Sequence, residues 1–106
     1  MELLSYPEVA EQLDLLVTRV HQLVRDGDLI YVSSEDVRKI PADFIQNGAV
    51  LKALPQVIRL LRDARFTDAE ILAWLYEPDD SIPGTPIEAL RDNRGTEIKR
   101  RAQAAG

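Results

Sequence analysis

The spacing of apolar residues predicts a short helix near the beginning of the chain. Val9, Ala10 and Leu13 recur at helical spacing and would share one face. Ser5 stands where a side-chain oxygen can cap the first turn, so the helix is expected to begin there. It is expected to end near Asp14.

A second helix is predicted from about Val17 to Asp26, because Gly27 can adopt the left-handed backbone conformation that ends many helices. Its apolar stripe consists of Val17, Val20, Leu23 and Val24. The polar side chains of this helix are left to face outward, and they are Thr18, Arg19, His21, Gln22 and Arg25.

A small β-hairpin is predicted next. Residues 29–32 are a strand candidate because they are rich in β-branched and aromatic side chains, and residues 33–36 are typical of a turn. Residues 37–40 alternate apolar and basic side chains, as a half-buried returning strand would. Pro41 is expected to end this strand. The hairpin would form a wing beside the two helices.

The remainder of the chain is helical by pattern. A short helical turn at residues 42–46 and a break at Asn47-Gly48 are expected to precede it. Apolar residues recur at helical spacing over residues 50–61, where Pro55 is expected to kink or restart the helix. Further helices are expected to open at Thr67, Thr85 and Gly95.

Two short helices joined by about three residues and followed by a hairpin are typical of a winged helix-turn-helix. In that arrangement the first helix supports the second, which can enter the major groove of DNA. Arg19 and Gln22 are the first candidates for contacts with base edges. Thr18 and Arg25 are expected nearer the DNA backbone, and His21 belongs to the same polar set. On the hairpin, Arg38 and Lys39 could contact phosphate.

The distribution of charge does not favour DNA binding. The formal net charge is -5, and residues 1–47 carry nine acidic but only four basic side chains, whereas residues 48–106 carry nine of each. Neutralisation of phosphate by lysine and arginine supplies much of the free energy of DNA binding. Any DNA contact would therefore depend on a local positive face.

The composition excludes several kinds of site. The chain has no cysteine and one histidine, so a disulfide framework, a thiol nucleophile and a cysteine-based metal site are excluded. No phosphate-binding loop, nucleophile elbow or catalytic triad occurs, so neither an enzymatic activity nor a cofactor is expected. No apolar run approaches the roughly 20 residues that span a bilayer, and no signal peptide is evident. We therefore expect a cytoplasmic protein.

The helix-turn-helix stretch resembles that of the MerR and excisionase type. Ala10, Leu13 and residues 25–29 match a pattern in which an Arg-acid-Gly-x-Leu segment closes the second helix. The turn departs from it, because Asp14 stands where glycine is usual and Leu16 where a serine or threonine cap is usual.

Nearly the whole chain is similar to a small actinobacterial, mycobacterial-type family. The similar segments are residues 40–41, residue 44, and residues 48–55, 63–71, 74–75, 78–79 and 100–104. The resemblance implies a winged helix-turn-helix, here placed at residues 1–47, and a family-specific helical C-terminal domain at residues 48–106. It also implies DNA binding without enzymatic activity.

The expected fold is therefore mainly α, a winged helix-turn-helix with a small wing followed by a helical C-terminal subdomain. The expected partner is double-stranded DNA, and the expected role is transcription regulation. A homodimer is compatible with this role, because one short helix contacts few base pairs. A second protein could bind the C-terminal domain, in which Trp74 is expected in the core.

The alternative function is a protein-interaction module without DNA affinity, either antitoxin-like or a regulatory adaptor. The acidic charge of residues 1–47 motivates this alternative. Trp74-Leu75 and residues 85–90 are also similar to the toxin-binding domain of some antitoxins.

Overall fold

A computed structural model describes residues 1–105 of the chain. The chain forms two compact units, Met1–Leu51 and the residues from Lys52 onward. No helix among the described residues is long and apolar enough to cross a lipid bilayer.

The first helix of the first unit, α1, spans Tyr6–Leu13. Ser5 caps it in a reciprocal capping box, because the Ser5 hydroxyl accepts from the Glu8 N–H at 3.2 Å and the Glu8 carboxylate accepts from the Ser5 N–H at 2.8 Å. Asp14 ends the helix in the left-handed conformation, with φ 54° and ψ 47°. The predicted helix and its cap are confirmed.

The second helix, α2, spans Val17–Arg25 and packs on α1. Gly27 follows with φ 84°, as the prediction of the helix end required. The predicted apolar stripe is only partly right. Val20 alone is fully buried, whereas Leu23 and Val24 are half-buried and Val17 is exposed. The first turn of α2 therefore lies outside the core.

The strands of the wing form a three-stranded antiparallel sheet in the order β1, β3, β2. The strands are β1 (Leu3–Ser5), β2 (Val32–Ser34) and β3 (Val37–Pro41). Glu35 and Asp36 make the turn between β2 and β3, and both have positive φ, as a two-residue type I′ hairpin requires.

Two details of the predicted hairpin are wrong. The first strand does not begin at Leu29, because Leu29 and Ile30 are fully buried residues outside any strand, and their apolar character reflects core packing. Pro41 is the last residue of β3, so the predicted end of this strand is confirmed. The prediction also missed β1, in which Leu4 pairs with Ile40.

A second small hairpin follows the wing. After a 3-10 turn at Ala42–Phe44, the strands β4 (Ile45–Gln46) and β5 (Ala49–Val50) pair in antiparallel fashion. The predicted break at Asn47 and Gly48 is the tight turn between these strands, and the two residues have φ of 55° and 77°. An Asn-Gly pair favours this tight turn, because both residues tolerate positive φ.

The second unit contains four helices in the described residues: α3 (Leu54–Asp63), α4 (Asp68–Tyr76), α5 (Pro86–Arg91) and α6 (Gly95–Ala104). Pro55 lies in the first turn of α3, where the missing N–H costs no helical hydrogen bond, so it begins this helix and does not kink it. Thr67 caps α4 in a reciprocal capping box with Glu70, so the predicted opening of a helix at Thr67 is confirmed.

Trp74 does not belong to the fully buried core of the second unit, contrary to the prediction. It is half-buried, whereas its neighbours Ile71 and Leu75 are fully buried. Helical spacing identified the correct face of α4. It did not distinguish the centre of that face from its edge, where a large ring is only partly covered.

Candidate nucleic-acid interface

The outward face of α2 carries five polar side chains, and all five are exposed as predicted. Thr18, Arg19, Gln22 and Arg25 line one shallow, open depression together with Asp26. They come together because residues three and four apart share one face of a helix. The structure thus brings four of the seven predicted site residues to one surface.

Within this depression, Arg19 and Gln22 are joined directly. A guanidinium nitrogen of Arg19 donates to the Gln22 side-chain oxygen at 2.6 Å. The remaining guanidinium N–H groups of Arg19 and the amide N–H₂ of Gln22 take no part in this bond. These are the donor groups that can bind base edges or phosphate oxygens.

His21 does not line the depression and instead contacts α1. Its ring meets the Tyr6 ring edge-on, with the two centroids 4.7 Å apart and the planes at 67°. Tyr6 is buried, and this burial raises the pKa of its hydroxyl. The predicted residue His21 is therefore placed where it supports the packing of α2 on α1.

The two predicted basic residues of the wing differ in their surroundings. Arg38 is exposed, and its guanidinium lies 4.5 Å from the centre of the Tyr31 ring. Lys39 is half-buried and pairs across the sheet with Val32 and Ser5. Because the side chains of neighbouring residues in a strand point to opposite faces, Arg38 and Lys39 cannot both belong to the same surface.

Exposed apolar side chains lie at the beginning of α2, beside the polar depression. Leu15 is 41% exposed, Leu16 is 78% exposed and Val17 is 38% exposed. Leu16 occupies the N-cap position and makes no side-chain capping bond. Sequence reasoning did not include these residues in the site, although the missing cap at Leu16 was the signal that could have indicated them.

Several arginines of the second unit are engaged within that unit. Arg101 donates to the Ser81 hydroxyl and carbonyl, and to the Glu97 carboxylate at 3.2 Å. Arg62 pairs with Asp68 at 3.0 Å, and both guanidinium groups are thereby held by acceptors of their own chain. Among the described residues, no group of three histidine, cysteine or acidic side chains could hold a metal ion.

Comparisons with known proteins match both units. A family model described as "DNA-binding protein Rv2175c, wHTH domain" matches residues 1–45, and one described as "Rv2175c C-terminal domain of unknown function" matches residues 51–106. The chain is 37% identical over 111 residues to the DNA-binding protein Rv2175c of Mycobacterium tuberculosis (strain ATCC 25618 / H37Rv), covering 92% of this chain and 76% of that relative.

A solved structure agrees with the family models. The NMR structure of Rv2175c matches with a TM-score of 0.88 at 34% sequence identity, over 98% of this chain and 80% of the other. It fits the expected fold of a winged helix-turn-helix followed by a helical C-terminal part. The chain therefore belongs to the family of the DNA-binding protein Rv2175c.

Proposed function

We propose that this protein binds double-stranded DNA with α2 in the major groove and thereby regulates transcription. The observation that carries the proposal is the exposed polar depression on α2, in which Arg19 and Gln22 are joined by a 2.6 Å hydrogen bond. A major groove about 12 Å wide admits one helix. The family membership of both units supports the same function.

The four predicted side chains of the depression have roles that follow from their chemistry. Arg19 donates to the edge of a guanine. Gln22 binds the edge of an adenine or of the base next to that guanine. Thr18 and Arg25, at the flanks, contact the sugar–phosphate backbone. On the wing, Arg38 contacts phosphate while its guanidinium stays stacked on the Tyr31 ring.

The remaining two predicted residues support this surface. His21 packs on Tyr6 of α1, and Lys39 lies opposite Ser5, the residue that caps α1. The helical unit from Lys52 onward provides the surface for a protein partner or a second copy of the chain. Pairing of two copies would double the number of base pairs contacted by one nine-residue helix.

Charge reversal at Arg19 tests the proposal. Arg19→Glu is expected to weaken binding to a labelled genomic DNA pool by about tenfold or more, because a donor to the bases becomes an acceptor that repels phosphate. Fluorescence anisotropy at low and moderate salt measures the affinity. Arg65→Glu is the matched control, because it makes the same change of charge at an exposed position outside α2. It is expected to retain nearly full affinity.

Two results would count against the proposal. Equal affinity of Arg19→Glu and wild type would exclude α2 as the contacting helix. If the folded wild-type protein binds no DNA even at low salt, the function is that of a protein-interaction module, as the excess of acidic residues in the first unit favours. Circular dichroism establishes that each variant is folded.

A further inference from the structure

Apolar side chains are exposed to solvent at the N-terminal end of α2, which is the end nearest the bases when this helix lies in the groove. Leu16 is 78% exposed and Val17 is 38% exposed. In a helix-turn-helix, the N-terminal residues of the second helix are those that contact base edges. An exposed leucine at this position would therefore contact an apolar group on the DNA.

We propose that Leu16 and Val17 recognise the 5-methyl groups of thymine in the major groove. This inference rests on the proposed function, since it requires α2 to lie in the groove. The thymine methyl is the apolar feature of the base edges that this groove displays. A binding site of this protein would accordingly contain thymine beside the bases contacted by Arg19 and Gln22.

The position of Leu16 relative to the polar depression supports this assignment. The Arg19 N–H donates to the Leu16 carbonyl at 2.9 Å, so Leu16 lies one turn before Arg19 at the same end of the helix. Arg19 itself lines the depression, so the exposed Leu16 lies one helical turn from the polar surface. One helix end therefore presents an apolar contact and a hydrogen-bond donor side by side.

The chemistry of the N-cap position is a second, independent argument. A serine, threonine, aspartate or asparagine there would accept a hydrogen bond from the first turn and stabilise the helix. Leu16 makes no such bond and leaves a large apolar side chain in water. A contribution to DNA recognition would explain why a leucine occupies this position, where it contributes little to folding.

Replacing thymine by deoxyuridine tests the proposal, because it removes only the methyl group. A duplex pool with a randomised core is first enriched on the wild-type full-length chain and then resynthesised with deoxyuridine. Wild-type affinity for the resynthesised pool is expected to fall by about fourfold for each thymine methyl group that the helix end covers. Leu16→Ala is expected to lose part of this preference for thymine, and the double variant Leu16→Ala, Val17→Ala is expected to bind the two pools nearly equally.

Val37→Ala is the matched control, since Val37 is 50% exposed but lies on the wing, outside α2. It is expected to keep the full wild-type preference for thymine. An equal decrease in affinity on deoxyuridine for wild type and Leu16→Ala would overturn the proposal, because the methyl groups would then act through DNA shape. Val17→Ala extends the same comparison to the second residue.

Other outcomes separate this inference from the proposed function. Salt-sensitive binding with no preference for thymine would overturn the inference and leave DNA binding intact. Absence of DNA binding by the folded protein would overturn both. If wild type sediments as a dimer and Leu16→Ala as a monomer, the patch is a self-association surface and the inference is wrong.

Discussion

Leu16 and Asp14 show how single residues of the helix-turn-helix turn depart from the usual pattern. Asp14 adopts φ 54°, the left-handed region in which glycine is free of steric cost, and this explains why glycine is usual there. Leu16 occupies the N-cap position of α2 and offers no acceptor to the first turn. Both departures were visible in the sequence. Their consequence for exposure became visible only in the structure.

Introducing the missing cap is expected to stabilise the protein. Leu16→Ser should raise the free energy of unfolding by about 1 kcal/mol, because a serine hydroxyl can accept from the first turn of α2. Urea denaturation followed by circular dichroism measures the change. Leu15→Ser, one residue earlier and outside the cap position, is the control and should not gain stability. A loss of stability in Leu16→Ser would show that the leucine side chain contributes to the core.

At the scale of elements, the capping boxes tie helix stability to pH. The Glu70 carboxylate accepts hydrogen bonds from the backbone N–H and the side chain of Thr67. Both bonds lower the pKa of the Glu70 carboxyl below its usual value of 4.5, and the backbone bond has the larger effect. Ser5 lowers the pKa of Glu8 in the same way, first through its backbone N–H. A carboxyl with a lowered folded pKa binds protons more readily in the unfolded chain.

The pH dependence of unfolding tests this effect. Stabilisation by Glu70 is fully present above about pH 4.5 and is lost as the pH falls through the lower folded pKa. Glu70→Gln keeps a side-chain acceptor for Thr67 but cannot titrate, so its unfolding free energy should depend less steeply on pH in this range. Glu77→Gln, at the end of the same helix, is the control for loss of a charge. Identical profiles for Glu70→Gln and wild type would contradict the prediction.

The helices could be predicted from the sequence because their signals are local. Ser5, Thr67 and Thr85 each precede a glutamate by three residues, and each forms a capping box in the structure. The strand β1 could not be predicted, because three residues carry no periodicity and its pairing partner β3 lies more than 30 residues away. Leu29 and Ile30 are residue types that are common in strands, but they lie in a loop and are buried in the core.

Part of the candidate site could be predicted because its sequence signal is also local. Helical spacing alone places Thr18, Arg19, Gln22 and Arg25 on one outward face. The contact between His21 and Tyr6, and that between Arg38 and Tyr31, depend on how separate elements pack. No local pattern encodes such contacts, so the sequence did not predict that His21 packs on Tyr6 or that Arg38 lies over Tyr31.

For the whole molecule, the uneven charge sets a limit on the salt dependence of DNA binding. The first unit carries only four lysine and arginine residues, so it can neutralise at most four phosphates per protomer. The slope of log affinity against log salt should therefore be no steeper than about -3.6 per bound protomer. Anisotropy titrations over a series of salt concentrations, with the stoichiometry determined separately, measure this slope.

A steeper slope would have a definite meaning. The second unit carries nine basic residues, so a slope beyond this limit would show that they also contact the phosphate backbone. The variant Arg100→Gln, at an exposed position of α6, should then lower the slope by about one, whereas it should leave a shallow slope unchanged.

The low burial of α2 has a consequence for engineering. Among its nine residues only Val20 is fully buried, so the residue that anchors the helix is distinct from those that face the solvent. Exposed substitutions usually change folding stability by no more than about 0.5 kcal/mol. Most members of a combinatorial library in which the outward side chains of α2 are exchanged should therefore still fold. Under the proposed function, such a library should yield variants that bind new DNA target sequences.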